Sequence, residues 1–212
     1  MAAVTQKFFI DGPAGKLEVI LGEPESVPRG IAILAHPHPL HGGTMDNKVV
    51  QTLFTTLLAL GFITAKFNFR GVGKSEGAFD HGIGEIEDVM AVTQTVRDQF
   101  NAAHSADLPL LLAGFSFGGA IQLHAAERLI PEFLILVAPS VVNLNAPEIP
   151  EATKYALIIQ GDQDDIVIPG DLLAWANPQS QPIVFIPGAE HFFHGKLALL
   201  KQVILQSFSP QI

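Results

Sequence analysis

No cysteine occurs among the 212 residues. That excludes disulfides, a thiol nucleophile, iron–sulfur clusters and thiolate zinc sites. Charge is also scarce, at 16% of residues against a usual share of about 25%. Positive charge is the scarcer sign: 12 Lys and Arg face 21 Asp and Glu, a formal net charge of −9. Such a surface repels phosphate backbones and anionic lipid, so neither nucleic acid nor a membrane is an expected partner. No run of 18 apolar residues occurs, so no membrane-spanning helix is read. The opening MAAVTQKFFIDGPAGK lacks a basic segment followed by a long apolar one, so no secretory leader is read and a cytoplasmic location is expected.

What is present is a hydrophobic fraction of 48%, too high for intrinsic disorder. The length fits a single domain, 1–212, with one core. Short apolar runs recur at Ile31–Ala35, Ile63–Phe67, Leu108–Ala113, Phe133–Ala138, Ala156–Gln160 and Pro182–Ile186. They are continuous rather than alternating, as in parallel strands buried on both faces. Lys7–Asp11 and Lys16–Leu21 flank Gly-Pro-Ala-Gly and predict an antiparallel hairpin at the sheet edge. Helical spacing is read over Asn47–Leu60, Ile83–Phe100, Phe117–Leu129, Gly170–Ala176 and Lys196–Phe208. The alternation predicts an α/β fold, a mostly parallel twisted sheet with helices on both faces. Reactive groups then belong just beyond the strands' carboxyl ends.

Gly114-Phe115-Ser116-Phe117-Gly118 is G-x-S-x-G between a predicted strand and a predicted helix. A sharp strand-to-helix turn there would lift the Ser116 hydroxyl clear of the sheet, with a helix N-terminus facing developing negative charge. A serine hydroxyl needs a base, and the base an orienting acid. The next-to-last predicted strand is followed by Asp162, Asp164 and Asp165, and the last by Glu190-His191-Phe192-Phe193-His194.

These features resemble the α/β-hydrolase superfamily, in its small lidless serine esterase form, similar to the dienelactone-hydrolase-like branch. Gly-Phe-Ser-Phe-Gly-Gly, Gly-Asp-Gln-Asp-Asp-Ile-Val and Gly-Ala-Glu-His-Phe carry the resemblance, which runs from about Ile31 to Phe208. Asn68-Phe-Arg-Gly-Val-Gly-Lys-Ser75 is similar to the family's D-x-R-G-x-G-x-S turn, with Asn68 where many members have Asp. The resemblance implies Ser116 as nucleophile, Asp164 as acid (the family's G-x-x-D-x-x-V) and His191 as base. Asp162 and Asp165 are left to cap the turn or face solvent. The backbone N–H groups of Phe117 and His38 are the implied oxyanion donors, because Pro37 and Pro39 have none. His124 is expected to pack inside its helix, and His81 and His104 to lie in loops. The residues Pro139–Tyr155 are too few for a helical cap.

Three rival readings follow from the same residues. His36, His38 and His41 form H-x-H-x-x-H, a candidate metal site for a metal-dependent hydrolase. Gly71-Val-Gly73-Lys74-Ser75 ends like a phosphate-binding loop but has Asn68 where the first glycine is needed. A non-catalytic binding protein on the same fold is the third. The preferred expectation is an enzyme, a carboxylesterase-like serine hydrolase acting on small soluble ester substrates without any cofactor. Thioesters, lactones and small peptides are the alternative substrates. The low charged fraction is compatible with a homodimer.

Overall fold

The computed structural model describes residues 4–104 and 107–208. Eight strands form one sheet in the order β1-β2-β4-β3-β5-β6-β7-β8. The strands are β1 (Val4–Gly12), β2 (Gly15–Glu23), β3 (Gly30–Ala35), β4 (Phe62–Phe67), β5 (Leu110–Phe115), β6 (Phe133–Val137), β7 (Tyr155–Gly161) and β8 (Ile183–Ile186). The β1–β2 hairpin is antiparallel and joins the sheet antiparallel to β4, and every later pairing is parallel. The helices are α1 (Lys48–Ala59), α2 (Ile83–His104), α3 (Phe117–Leu129), α4 (Pro169–Ala176) and α5 (Leu197–Phe208).

Two apolar layers sandwich the sheet. One side packs α2, α3 and Leu172 of α4 against Ile31, Ile33, Phe67 and Leu112. The other packs α1 and α5 against Ala32, Leu34, Leu111 and Ile159. Fully burying one such Leu, Ile or Phe stabilises by about 1.5–3 kcal/mol, so the strands β3 to β7 carry much of the core's stabilisation. The strand beginning expected at Leu108 starts instead at Leu110. The Pro109 carbonyl accepts from Ile31 N, and Leu110 N donates to the Glu132 carboxylate. β8 departs from the expectation of burial on both faces, because it is the edge strand and leaves Val184 and Phe185 partly exposed. α2 runs on to His104, which was expected in a loop.

Buried polar groups fasten the loops at the carboxyl ends. Arg70 grips Asp88 of α2 with Nη2 at 2.7 Å and Nε at 3.1 Å. Lys66, inside the apolar β4 run, donates to Met45 O, Asp46 Oδ1 and Gln51 Oε1. Met45 N in turn donates to Asn68 Oδ1 at 2.9 Å. Asn68 Nδ2 donates to buried Glu18 Oε2 at 2.7 Å, which accounts for an amide at this position: a carboxylate there would face a carboxylate. The Gly71–Ser75 turn serves the same buried group, with Lys74 N donating to Glu18 Oε2 and Ser75 Oγ to Asn68 O.

Among the described residues no helix is long and apolar enough to cross a membrane.

Candidate active site

β5 runs straight into Ser116, whose φ of 56° and ψ of −119° are strained for a residue with a side chain. The turn closes only because its neighbours are glycines. A Cβ on Gly114 would lie 2.4 Å from Gly118 O, and one on Gly118 would lie 2.4 Å from Ala35 O. The strain is held by backbone hydrogen bonds, Ser116 N to Val137 O and Ser140 N to Ser116 O. The next residue, Phe117, opens α3.

β7 and β8 deliver the other two groups. His191 Nε2 lies 2.9 Å from Ser116 Oγ, and His191 Nδ1 lies 2.8 Å from Asp164 Oδ2. All three side chains are buried. Asp164 also accepts at Oδ1 from Ile166 N and Val167 N, at 2.9 and 2.8 Å, and at Oδ2 from Gln160 Nε2 at 2.9 Å. Burial works to raise the Asp164 carboxyl, but the His191 imidazole and the Val167 and Ile166 amides outweigh it and hold the pKa below the usual carboxylate range. An ionised Asp164 can only accept, so His191 Nδ1 carries the ring proton and Nε2 is free to accept from the Ser116 hydroxyl.

Of the three aspartates that compete in sequence, only Asp164 reaches His191. Asp162 Oδ1 instead accepts from Gly188 N at 2.6 Å, clasping the segment that carries His191, and Asp165 is exposed. His194 pairs with Glu190 at the surface, and His124 Nε2 lies 3.0 Å from Leu144 O. His81 occupies a loop with a positive φ.

The three imidazoles of H-x-H-x-x-H play separate parts. His36 is fully buried: Phe69 N donates to its Nε2 at 3.1 Å, which leaves Nδ1 to donate to Pro37 O at 2.6 Å. Burial lowers its pKa to about 4. Both nitrogens are thus committed to the protein. His38 Nδ1 accepts from Leu40 N. No cluster of three or more His, Asp or Glu with metal-binding geometry occurs among the described residues.

A cavity of about 280 Å³ opens over Ser116 and His191, lined also by Pro37, His38, Gly42 and Phe192. The His38 carbonyl accepts from His41 N and Gly43 N, while its own N–H meets no acceptor among the described residues. The Phe117 N–H, first of α3, has no intrahelical partner. Of the four phenylalanines flanking these groups in sequence, Phe115 and Phe193 are core side chains, Phe117 is buried but also lines a neighbouring cavity, and Phe192 is the half-exposed one at the mouth. Pro139–Tyr155 contains no helix, so nothing caps the opening from that side.

Sequence reasoning missed Gln160. It is fully buried, ends the apolar run of β7, and braces Asp164 and Val167 O with one amide nitrogen. A polar residue closing a run of buried aliphatics was the available signal.

The serine aminopeptidase S33 family, Hydrolase_4, matches residues 38–159, which include Ser116 and stop short of Asp164 and His191. An α/β serine hydrolase homologue from Coxiella burnetii superposes with a TM-score of 0.87 and 41% identity, over 96% of this chain and 97% of its own. An α/β serine hydrolase without a lid from Xanthomonas campestris gives a TM-score of 0.89 and 36% identity, over 100% and 97%. An uncharacterised Rickettsia prowazekii protein is 34% identical over 201 residues, 90% of this chain and 83% of that one. With an eight-stranded sheet, an uncapped site and these relatives, the chain belongs to the α/β serine hydrolases without a lid, within the Hydrolase_4 (serine aminopeptidase, S33) family.

Proposed function

We propose that the protein cleaves carboxylic esters of small soluble substrates through an acyl-enzyme on Ser116. The observation that carries this reading is the unbroken hydrogen-bond chain Ser116–His191–Asp164, with spacings of 2.9 and 2.8 Å. Ser116 Oγ attacks the acyl carbon while His191 Nε2 takes its proton. Asp164 fixes the ring's tautomer and stabilises the imidazolium. The oxygen of the tetrahedral intermediate is received by the backbone N–H groups of Phe117 and His38. His191 then gives its proton to the leaving alkoxide as the carbon–oxygen bond breaks. Water, activated by the same imidazole, releases the acid and restores Ser116.

The family description raises an aminopeptidase reading. An exopeptidase of that kind must hold an N-terminal ammonium, and no Asp or Glu lines the cavity over Ser116. The ester reading therefore fits the lining better. Turnover of p-nitrophenyl acetate tests it: Ser116→Ala should lower kcat by about 10⁴–10⁶ with an unchanged circular dichroism spectrum. Near-native turnover in that variant would end the proposal, and an aminoacyl p-nitroanilide cleaved faster than any ester would transfer it to peptides.

A further inference from the structure

A second cavity, of about 570 Å³, adjoins the one over Ser116 and shares His38 and His41 with it. His38 lines both, so the two spaces meet at the loop expected to bind the oxyanion. The walls of the second cavity are rings. His38 lies 5.0 Å from Phe79 and 5.0 Å from Phe117, centroid to centroid. Phe79 lies 5.9 Å from Phe117 and 5.1 Å from His81. Leu40 and Leu144 add apolar lining, and Ser140 and Asn143 add uncharged polar groups. We propose that this ring-walled cavity, formed by His38, Phe79, His81 and Phe117 beside Ser116, is the subsite for a neutral aromatic ring carried by the ester substrate.

Three features select a neutral ring over other occupants. First, ring centroids 5–6 Å apart at tilted angles make one contiguous aromatic surface, and a further ring laid against its open side adds edge or offset contacts of the same kind. Second, the lining contains no Asp, Glu, Lys or Arg, so it offers no fixed charge to a carboxylate, phosphate or ammonium. Burial, together with neighbouring His41 and His81, lowers the His38 pKa, which keeps that imidazole neutral at pH 7. Third, the wall is held in place before any ligand arrives. Phe117 is fixed by the elbow, and the segment bearing Phe79 and His81 is tied by Asp80 N and Gly82 N to the buried Glu85 carboxylate, both at 2.8 Å. A rigid wall loses little freedom when a ring enters.

The inference rests on the serine-hydrolase reading and names its substrate class. The test compares esters of equal size and reactivity, followed by proton release. Ethyl 3-phenylpropanoate is set against ethyl 3-cyclohexylpropanoate for the acyl side. Phenethyl acetate is set against 2-cyclohexylethyl acetate for the alcohol side. One of the two pairs should show an aromatic preference in kcat/KM of about two- to tenfold. Phe79→Leu should bring that ratio close to one, and Phe79→Tyr should retain it. The ratio is taken within each variant, so a general loss of activity cancels. Should Phe79→Leu not fold, competitive inhibition of the unaltered protein by 2-phenylethanol and 2-cyclohexylethanol makes the same comparison. Ratios near one in both pairs, an unchanged ratio in a folded Phe79→Leu, or equal inhibition by the two alcohols would each overturn the subsite. Absence of turnover on every ester would instead remove the hydrolase reading beneath it.

Discussion

Asn68→Asp is the substitution with the most distinctive expected signature, because it places a second carboxyl group against the buried Glu18. The new carboxylate would sit 2.7 Å from Glu18 Oε2, in a site with almost no solvent. Two unit charges at that spacing repel by about 6 kcal/mol even with an effective dielectric near 20. Holding one carboxyl protonated at pH 7, against an ordinary value near 4, costs only about 4 kcal/mol. The variant should take the second route and bind a proton at position 68, because burial of Glu18 is outweighed by the Lys7 ammonium and the Lys74 N–H, which hold the Glu18 carboxyl below its ordinary range. Its native state then carries one proton more than its unfolded state from about pH 4 to 7. Acid therefore favours folding of the variant relative to the parent. The penalty should be about 4 kcal/mol at pH 7, shrink by about 1.4 kcal/mol per pH unit on acidification, and vanish near pH 4. Urea unfolding at pH 5, 6 and 7 for both proteins measures this, provided the denaturant slope is common to both. A penalty that does not change with pH, or none at pH 7, would refute the reasoning.

Two further outcomes follow from the same geometry. His36 is neutral in the native state, with a pKa near 4 against 6.5 for the free ring. Its contribution to stability is complete above pH 6.5 and falls by about 3 kcal/mol as the pH drops towards 4; histidine ring resonances followed by NMR should include one that titrates only near pH 4, and a His36 ring titrating near 6.5 would contradict this. Gly118→Ala gains up to about 1 kcal/mol of helix propensity, but its Cβ would lie 2.4 Å from Ala35 O and 2.5 Å from His36 O. The clash is with backbone and should win, lowering stability by more than about 2 kcal/mol and turnover with it; a thermal midpoint at or above that of the parent would show that the elbow has room.

The fold was legible because five of the six continuous apolar runs form buried parallel strands, and because each helix carries its own spacing. Where the reading slipped, a non-local partner or an edge decided the matter. β5 begins late because Pro109 has no N–H to give and the Leu110 N–H goes to the Glu132 carboxylate. β8 is apolar yet partly exposed because nothing among the described residues pairs with its outer side. That Ser116, Asp164 and His191 would stand just beyond strands' carboxyl ends was legible from local motifs, while the residues alone left Asp162, Asp164 and Asp165 open and the family resemblance singled out Asp164. Their support was not legible. Glu18 and Asn68 are 50 residues apart, and Arg70 and Asp88 are 18 apart. Neither pair leaves a periodic trace. Lys66 sits unremarked in an apolar run because its stem is buried while its ammonium fastens Met45, Asp46 and Gln51. The triple histidine motif is a poor guide to a ligand set, because spacing says nothing about which ring nitrogens the backbone already uses.

The central claim is that residue 116 carries an oxygen made nucleophilic by the imidazole of residue 191. Intact-mass spectrometry after brief exposure to a fluorophosphonate measures this directly. A single phosphonyl adduct that maps to Ser116, absent in Ser116→Ala and formed at least about a hundredfold more slowly in His191→Ala, is the predicted result. No adduct on the folded parent protein, or an adduct that persists in Ser116→Ala, would contradict it.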